Sequence, residues 1–214
     1  MPFSPHRLWA KNLDIITLTQ GFITMKTLEQ YREEFKQKKL ITMPLSGAIV
    51  WFLLGVLSFY LPSEQMVLPL YIGTGSIFYL ALFLSKFTGE KLLAKSTDMN
   101  PFDKLFLYTV AMSLCGFSIA IPFGLENYSS LPLSIGIISG LMWLPITWII
   151  GHNVGVLHTL LRTILIVIAW FMWPEIRFTT IPFIIVFVYG ISITQLYLRH
   201  KKVHQLLTIQ VAKT

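Results

Sequence analysis

The chain has 214 residues, of which 54% are hydrophobic and 13% charged, with a formal charge of +7 and a mean hydropathy of +0.66. A water-soluble domain carries about a quarter charged residues, so the deficit makes lipid the solvent for most of the chain. The basic excess does not imply nucleic acid, because Lys and Arg flank apolar runs instead of covering a soluble face.

Residues 1–24 match no targeting class: the basic start is followed by "NLDIITLTQ", too polar for a signal core, and no small-residue cleavage site follows. We expect a disordered or non-native leader there. Gln20-Gly21 can be encoded by a ribosome-binding sequence a short spacer ahead of Met25, which suggests Met25 as the native start. Residues 25–40 read as a cytoplasmic amphipathic helix. Thr27 and Gln30 have capping-box spacing; Leu28, Tyr31 and Phe35 share a face, with Arg32, Lys36 and Lys39 beside them. That pattern suits a helix lying on anionic inner-leaflet lipid, or a solvated charged leader.

Residues 41–198 hold six apolar runs near the roughly 20 residues a helix needs to cross the bilayer. They are Ile41–Leu61, Met66–Leu84, Leu105–Phe123, Leu131–Ile150, Thr159–Trp173 and Ile181–Leu198. Continuous apolarity selects helices over barrel strands, which alternate. The expected fold is therefore all-α, a six-span bundle of three hairpins, followed by a solvated basic tail over residues 199–214. With both ends cytoplasmic, every Lys and Arg except Arg177 falls inside, which is the known bias of inner loops. The outer turns hold Glu64, Glu126 and Glu175. Each closes with Pro, Glu, Pro, and the second and fourth spans open "LPLYIG" and "LPLSIG"; first-turn Pro preference explains this more simply than a true duplication, which would be a parallel repeat.

Within the runs, Gly136 and Gly140 form GxxxG, and Gly116, Ala120 and Gly124 a similar ridge, for bundle packing or a homo-oligomer face. Pro145 lies deep in the fourth run and predicts a kink.

The order "TLEQYREEFKQKK", "SGAIVWFLLGVLSFYLP" and Pro-punctuated hairpins resembles a family of small bacterial multi-pass membrane proteins of unknown function. The resemblance covers about residues 25–200. It implies a helical bundle in a bacterial cytoplasmic membrane, and brings no activity and no site residues.

No Asp or Glu falls within the six runs, which disfavours ion-coupled transport. HExxH, GxSxG, P-loop and dinucleotide fingerprints are missing, and no catalytic residue, cofactor or metal site is expected. The lone Cys115 makes no disulfide framework. His200 and His204 have metal-pair spacing, but three neighbouring cations favour a solvated tail. One stretch stands out, "GHNVGVLHTLLRT", with His152, Asn153, His158 and Arg162 between two apolar runs. His158 and Arg162 share a helix face, and with the helix N-terminus they would suit a phosphate or lipid headgroup. Two His and an Asn fall short of a metal set. The simpler reading is an inner turn, broken by Gly151 and Gly155, with Arg162 snorkelling to the headgroups. Three functions are compatible: a non-enzymatic sensing, accessory or oligomer-forming bundle, which the missing chemistry favours; a channel or permease for a small or neutral solute; or a lipid-headgroup enzyme.

Overall fold

A computed structural model of the chain describes residues 26–90, 92 and 99–211. The expected leader over residues 1–24, the start at Met25, the basic residues Lys91 and Lys95, and Asp98 lie outside the described residues, as do the last three residues of the tail. All regular elements among the described residues are helical: α1 Leu28–Lys36, α2 Thr42–Leu57, α3 Val67–Thr88, α4 Pro101–Cys115, α5 Phe117–Glu126, α6 Leu131–Leu141, α7 Trp143–Ile150, α8 Val154–Met172 and α9 Arg177–Val211. Taken across short breaks, five stretches are long and apolar enough to cross a membrane: Ser63–Thr88, Pro101–Glu126, Tyr128–Ile150, Val154–Met172 and Pro174–Gln205. The first apolar run folds as the shorter α2.

Several boundaries differ from the sequence reading. The helix expected from Thr159 starts at Val154, so Gly155 lies inside it and is not a breaker. The last helix continues to Val211 through the segment expected as a solvated tail. Pro122 and Pro182, expected at span ends, sit within α5 and α9. The fourth apolar run is interrupted at Met142, between α6 and α7. Pro145 accounts for this break: it has no N–H, and its ring crowds the carbonyl four residues back, that of Leu141.

The small residues sit where neighbouring helices press closest. A Cβ on Gly116 would lie 2.3 Å from Ile138, and one on Gly124 2.3 Å from Leu131; Ala120 between them is fully buried. Gly136 faces Ile166 and Ile185, and Gly140 faces the Arg162 stem. α2 lies along both α3 and α9, while α8 packs on α6, α7 and α9. The core between them holds Trp51, Leu54, Ile135, Ile166, Ile181 and Ile185, all buried.

α1 packs against the end of the bundle, on α4 and α7. Its capping box forms, Thr27 Oγ1 accepting from Gln30 N (3.3 Å) and Gln30 Oε1 from Thr27 N (2.8 Å). Phe35 is buried against Phe102. Arg32 donates to the carbonyls of Ile149 (3.2 Å) and Trp148 (2.6 Å), the free C-terminal acceptors of α7, and stacks over the Trp148 ring. Arg199 Nη2 caps α1 in turn through the Lys36 carbonyl at 2.6 Å. The Glu90 carboxylate accepts from Ile41 N and Thr42 N at the start of α2. Arg32, Arg199 and Glu90 at this end therefore bind helix termini, while Lys36 and Lys38 pair with Glu33 and Asp103 and Lys39 is exposed.

Candidate functional site

The singled-out stretch divides in two. At the turn, Gly151 takes the left-handed conformation (φ 62°) that closes α7, and Thr147 Oγ1 accepts from Val156 N at 2.8 Å. Gly155 is required by proximity: a Cβ there would lie 2.1 Å from the Trp143 carbonyl oxygen. His152 is half-buried, its Nδ1 accepting from Val154 N (3.2 Å), and Asn153 is exposed. Burial, with Arg199 nearby, holds the His152 imidazole below its ordinary pKa range. These two residues line a shallow depression with Gln195, Arg199 and Lys202, apart from the other pair.

His158 and Arg162 point into the bundle. Arg162 is 0% exposed and His158 1%, so the expected snorkelling of Arg162 does not occur. Eight residues beyond the start of α8, Arg162 lies about 12 Å along the helix axis. Its Nη2 donates to Ser139 Oγ at 2.7 Å and its Nη1 meets His158 Nε2 at 3.4 Å. His158 Nδ1 lies 2.8 Å from Ser192 Oγ, whose own proton goes to the Val188 carbonyl at 3.0 Å. Ser192 must then accept from His158 Nδ1–H, leaving the Nε2 lone pair to accept from Arg162. The imidazole is neutral in this arrangement and does not add to the guanidinium charge. Aromatic rings enclose the pair: Trp143 stacks on His158 at 4.0 Å, and the Arg162 guanidinium carbon lies 5.6 Å from the Trp51 ring and 5.4 Å from that of Tyr189.

The described residues give this cluster no counter-charge. Among the described residues no carboxylate pairs with Arg162, and Arg162 Nε and Trp51 Nε1 have no hydrogen-bond partner. Asp103, in the first turn of α4, is paired with Lys38 at 2.5 Å. The other described arginines all find helix-end carbonyls: Arg32 on α7, Arg199 on α1, and Arg177 on Trp170 in the last turn of α8.

Beside the cluster, α3 and α4 diverge around a cavity of about 790 Å³. Its wall is apolar along Phe78, Phe106, Val110 and Phe117, and its α1 end carries Lys38, Glu90 and Asp103. Ser139, Trp143 and Tyr189 belong to both, lining the cavity and touching Arg162 or His158. His200 and His204 also line it, with rings 4.7 Å apart. Among the described residues no group of three or more His, Cys, Asp or Glu is placed to hold a metal ion.

Sequence reasoning found His158 and Arg162 but missed Ser192, Tyr189 and Trp51 as their companions, because these come from α2 and α9, distant in the chain. Ser139 carries no sequence signal beyond being a serine within an apolar run.

An all-helical bundle of this apolarity, with polar side chains turned inward, is a multi-pass membrane protein. The chain belongs to the family of unknown function DUF7010, whose model matches residues 28–199, from the first residue of α1 to the arginine that caps it. No curated protein and no solved structure matches the chain.

Proposed function

We propose that the protein is a non-enzymatic binding bundle, of sensing or accessory type, that holds a membrane-dissolved molecule in the cavity between α3 and α4. The cavity carries this reading: about 790 Å³ falls in the range of roughly 300–1,000 Å³ typical of small-molecule sites, apolar with a few convergent polar groups. Gly75 lies on its wall, where an added Cβ meets nothing within 4 Å.

The proposed setting is a bacterial cytoplasmic membrane with six spans as three hairpins and both termini inside. α2 supplies the sixth span. Its 16 residues cover about 24 Å at 1.5 Å each, and the turn to Leu61 extends it. Support for the orientation is the basic bias, which leaves only Arg177 outside. The cationic α1 end then faces anionic inner-leaflet lipid.

The test uses purified protein in phosphatidylcholine nanodiscs and the fluorescent acid cis-parinaric acid with its methyl ester, read by energy transfer from tryptophan. Saturable binding of at least one probe, abolished by Gly75→Phe, is expected. Mere partitioning of both, unchanged by Gly75→Phe, would overturn the reading. A proteoliposome flux assay distinguishes a permease: facilitated passage of a small neutral solute would replace the binding reading.

A further inference from the structure

We propose that Arg162 receives the carboxylate of a long-chain acid whose apolar body lies in the α3–α4 cavity. This deepens the binding reading above and rests on it.

A guanidinium carries five N–H donors in a rigid fork and stays charged. Arg162 uses one donor on Ser139 and one, at 3.4 Å, on a neutral His158. Its Nε is unpartnered, and so is Trp51 Nε1 beside it. Both side chains are completely buried. An ionised group at this depth is disfavoured unless a counter-charge is supplied, and the described residues supply none. No helix-end carbonyl, the solution used by the other described arginines, accepts from Arg162, whose hydrogen bonds go to Ser139 and His158.

The cavity comes within one side chain of Arg162, which does not itself line it. Ser139 forms the partition: its hydroxyl accepts from Arg162 and donates to the Ile135 carbonyl at 2.7 Å, while the residue lines the cavity. Rotation of Ser139 away from Nη2 opens that donor to a carboxylate oxygen and leaves the serine hydroxyl as a second donor. The ligand is a single-charge oxyanion because one cation is to be neutralised; a doubly charged headgroup would leave a net buried negative charge. Its body is apolar because the walls at Phe78, Phe106, Val110 and Phe117 offer it nothing polar. A planar carboxylate matches the guanidinium fork and can take two parallel hydrogen bonds from it.

The probes above test this by difference. Wild-type protein is expected to bind cis-parinaric acid at least tenfold more tightly than its methyl ester. Arg162→Met should reduce the acid to the affinity of the ester and leave the ester unchanged. Ser139→Ala, which frees Nη2, should keep the preference for the acid, so the proposal remains testable even if the arginine variant fails to assemble. Oleate should displace the acid. Equal affinity of acid and ester in the wild type would overturn the proposal while leaving the binding reading intact. Displacement by phosphatidylglycerol but not by oleate would overturn it in favour of a phospholipid headgroup. Absence of saturable binding by either probe would remove the binding reading itself.

Discussion

Replacing Arg32 with Met tests whether α1 is held by the bundle or by the membrane surface. The substitution removes two charge-assisted hydrogen bonds to the C-terminal carbonyls of α7 and the stacking on Trp148 at 4.7 Å. Such hydrogen bonds contribute about 1.5–3 kcal/mol when well placed, and the cation–π contact about 0.5–1 kcal/mol. The Arg32 side chain is 23% exposed, and water can reach the vacated carbonyls, so the net loss is about 2 kcal/mol. At 1.4 kcal/mol per decade this is about a 30-fold rise in local opening. Hydrogen–deuterium exchange in nanodiscs should show it in peptides covering Leu28–Lys36, with α8 amides unchanged. Arg32→Lys retains the charge without the fork and should give a smaller rise, on the order of fivefold, as one hydrogen bond survives. Unchanged protection of α1 in Arg32→Met would refute the reasoning and return α1 to the lipid surface.

Gly155→Ala should lower thermal stability by about 2 kcal/mol or more, in the manner of an overpacked site, because the new methyl meets backbone at 2.1 Å; a midpoint unchanged from wild type would show that the α7–α8 hairpin yields freely. Acidification should destabilise the fold through His152: its folded pKa is held down, first by burial, so below the ordinary value of about 6.5 the unfolded chain takes up a proton the folded one resists. The loss of stability between pH 7 and pH 5.5 should be smaller in His152→Gln than in wild type, and equal losses would refute it. With Cys115 replaced, cysteines at Ser63 and Ser129 should react with an impermeant thiol reagent in intact cells, and protection of both would reverse the proposed topology.

The helices were legible because lipid leaves the backbone few alternatives: a long apolar run must satisfy its own hydrogen bonds. The α1 capping box could be read from Thr27 and Gln30 for the same local reason. Ends were harder. Gly155 looks like a breaker in sequence, yet its role is to let the α7 backbone approach α8, a demand set by a partner 12 residues earlier at Trp143. The contacts of α1 with the bundle were not legible because one amphipathic pattern serves both a leaflet and a row of open helix ends. Composition cannot separate anionic headgroups from partly negative carbonyls as the target of Arg32.

Arg162 was misplaced for a different reason, and a usable signal was present. In water a helix buries its apolar stripe; in lipid the sense is reversed, since hydrocarbon accepts apolar side chains and polar ones must find protein. α8 has this reversed pattern. Val156, Leu157, Leu160, Ile164, Val167, Ile168 and Phe171 form an unbroken apolar outer face, while Gly155, His158, Thr159 and Arg162 fall on the buried one. Thr159 donates across to the Gly140 carbonyl at 3.0 Å, so α6 and α8 are in close contact at this level. Gly140 then has a second task beyond helix packing: a Cβ there would lie 3.0 Å from Arg162 Cδ. Gly140 is consequently a seat for an arginine within the same chain, while Gly136 packs against Ile166 and Ile185. By giving up a side chain at Gly140, α6 admits a cation for which the described residues supply no counter-charge, beside a cavity where, under the proposal above, an acid neutralises it.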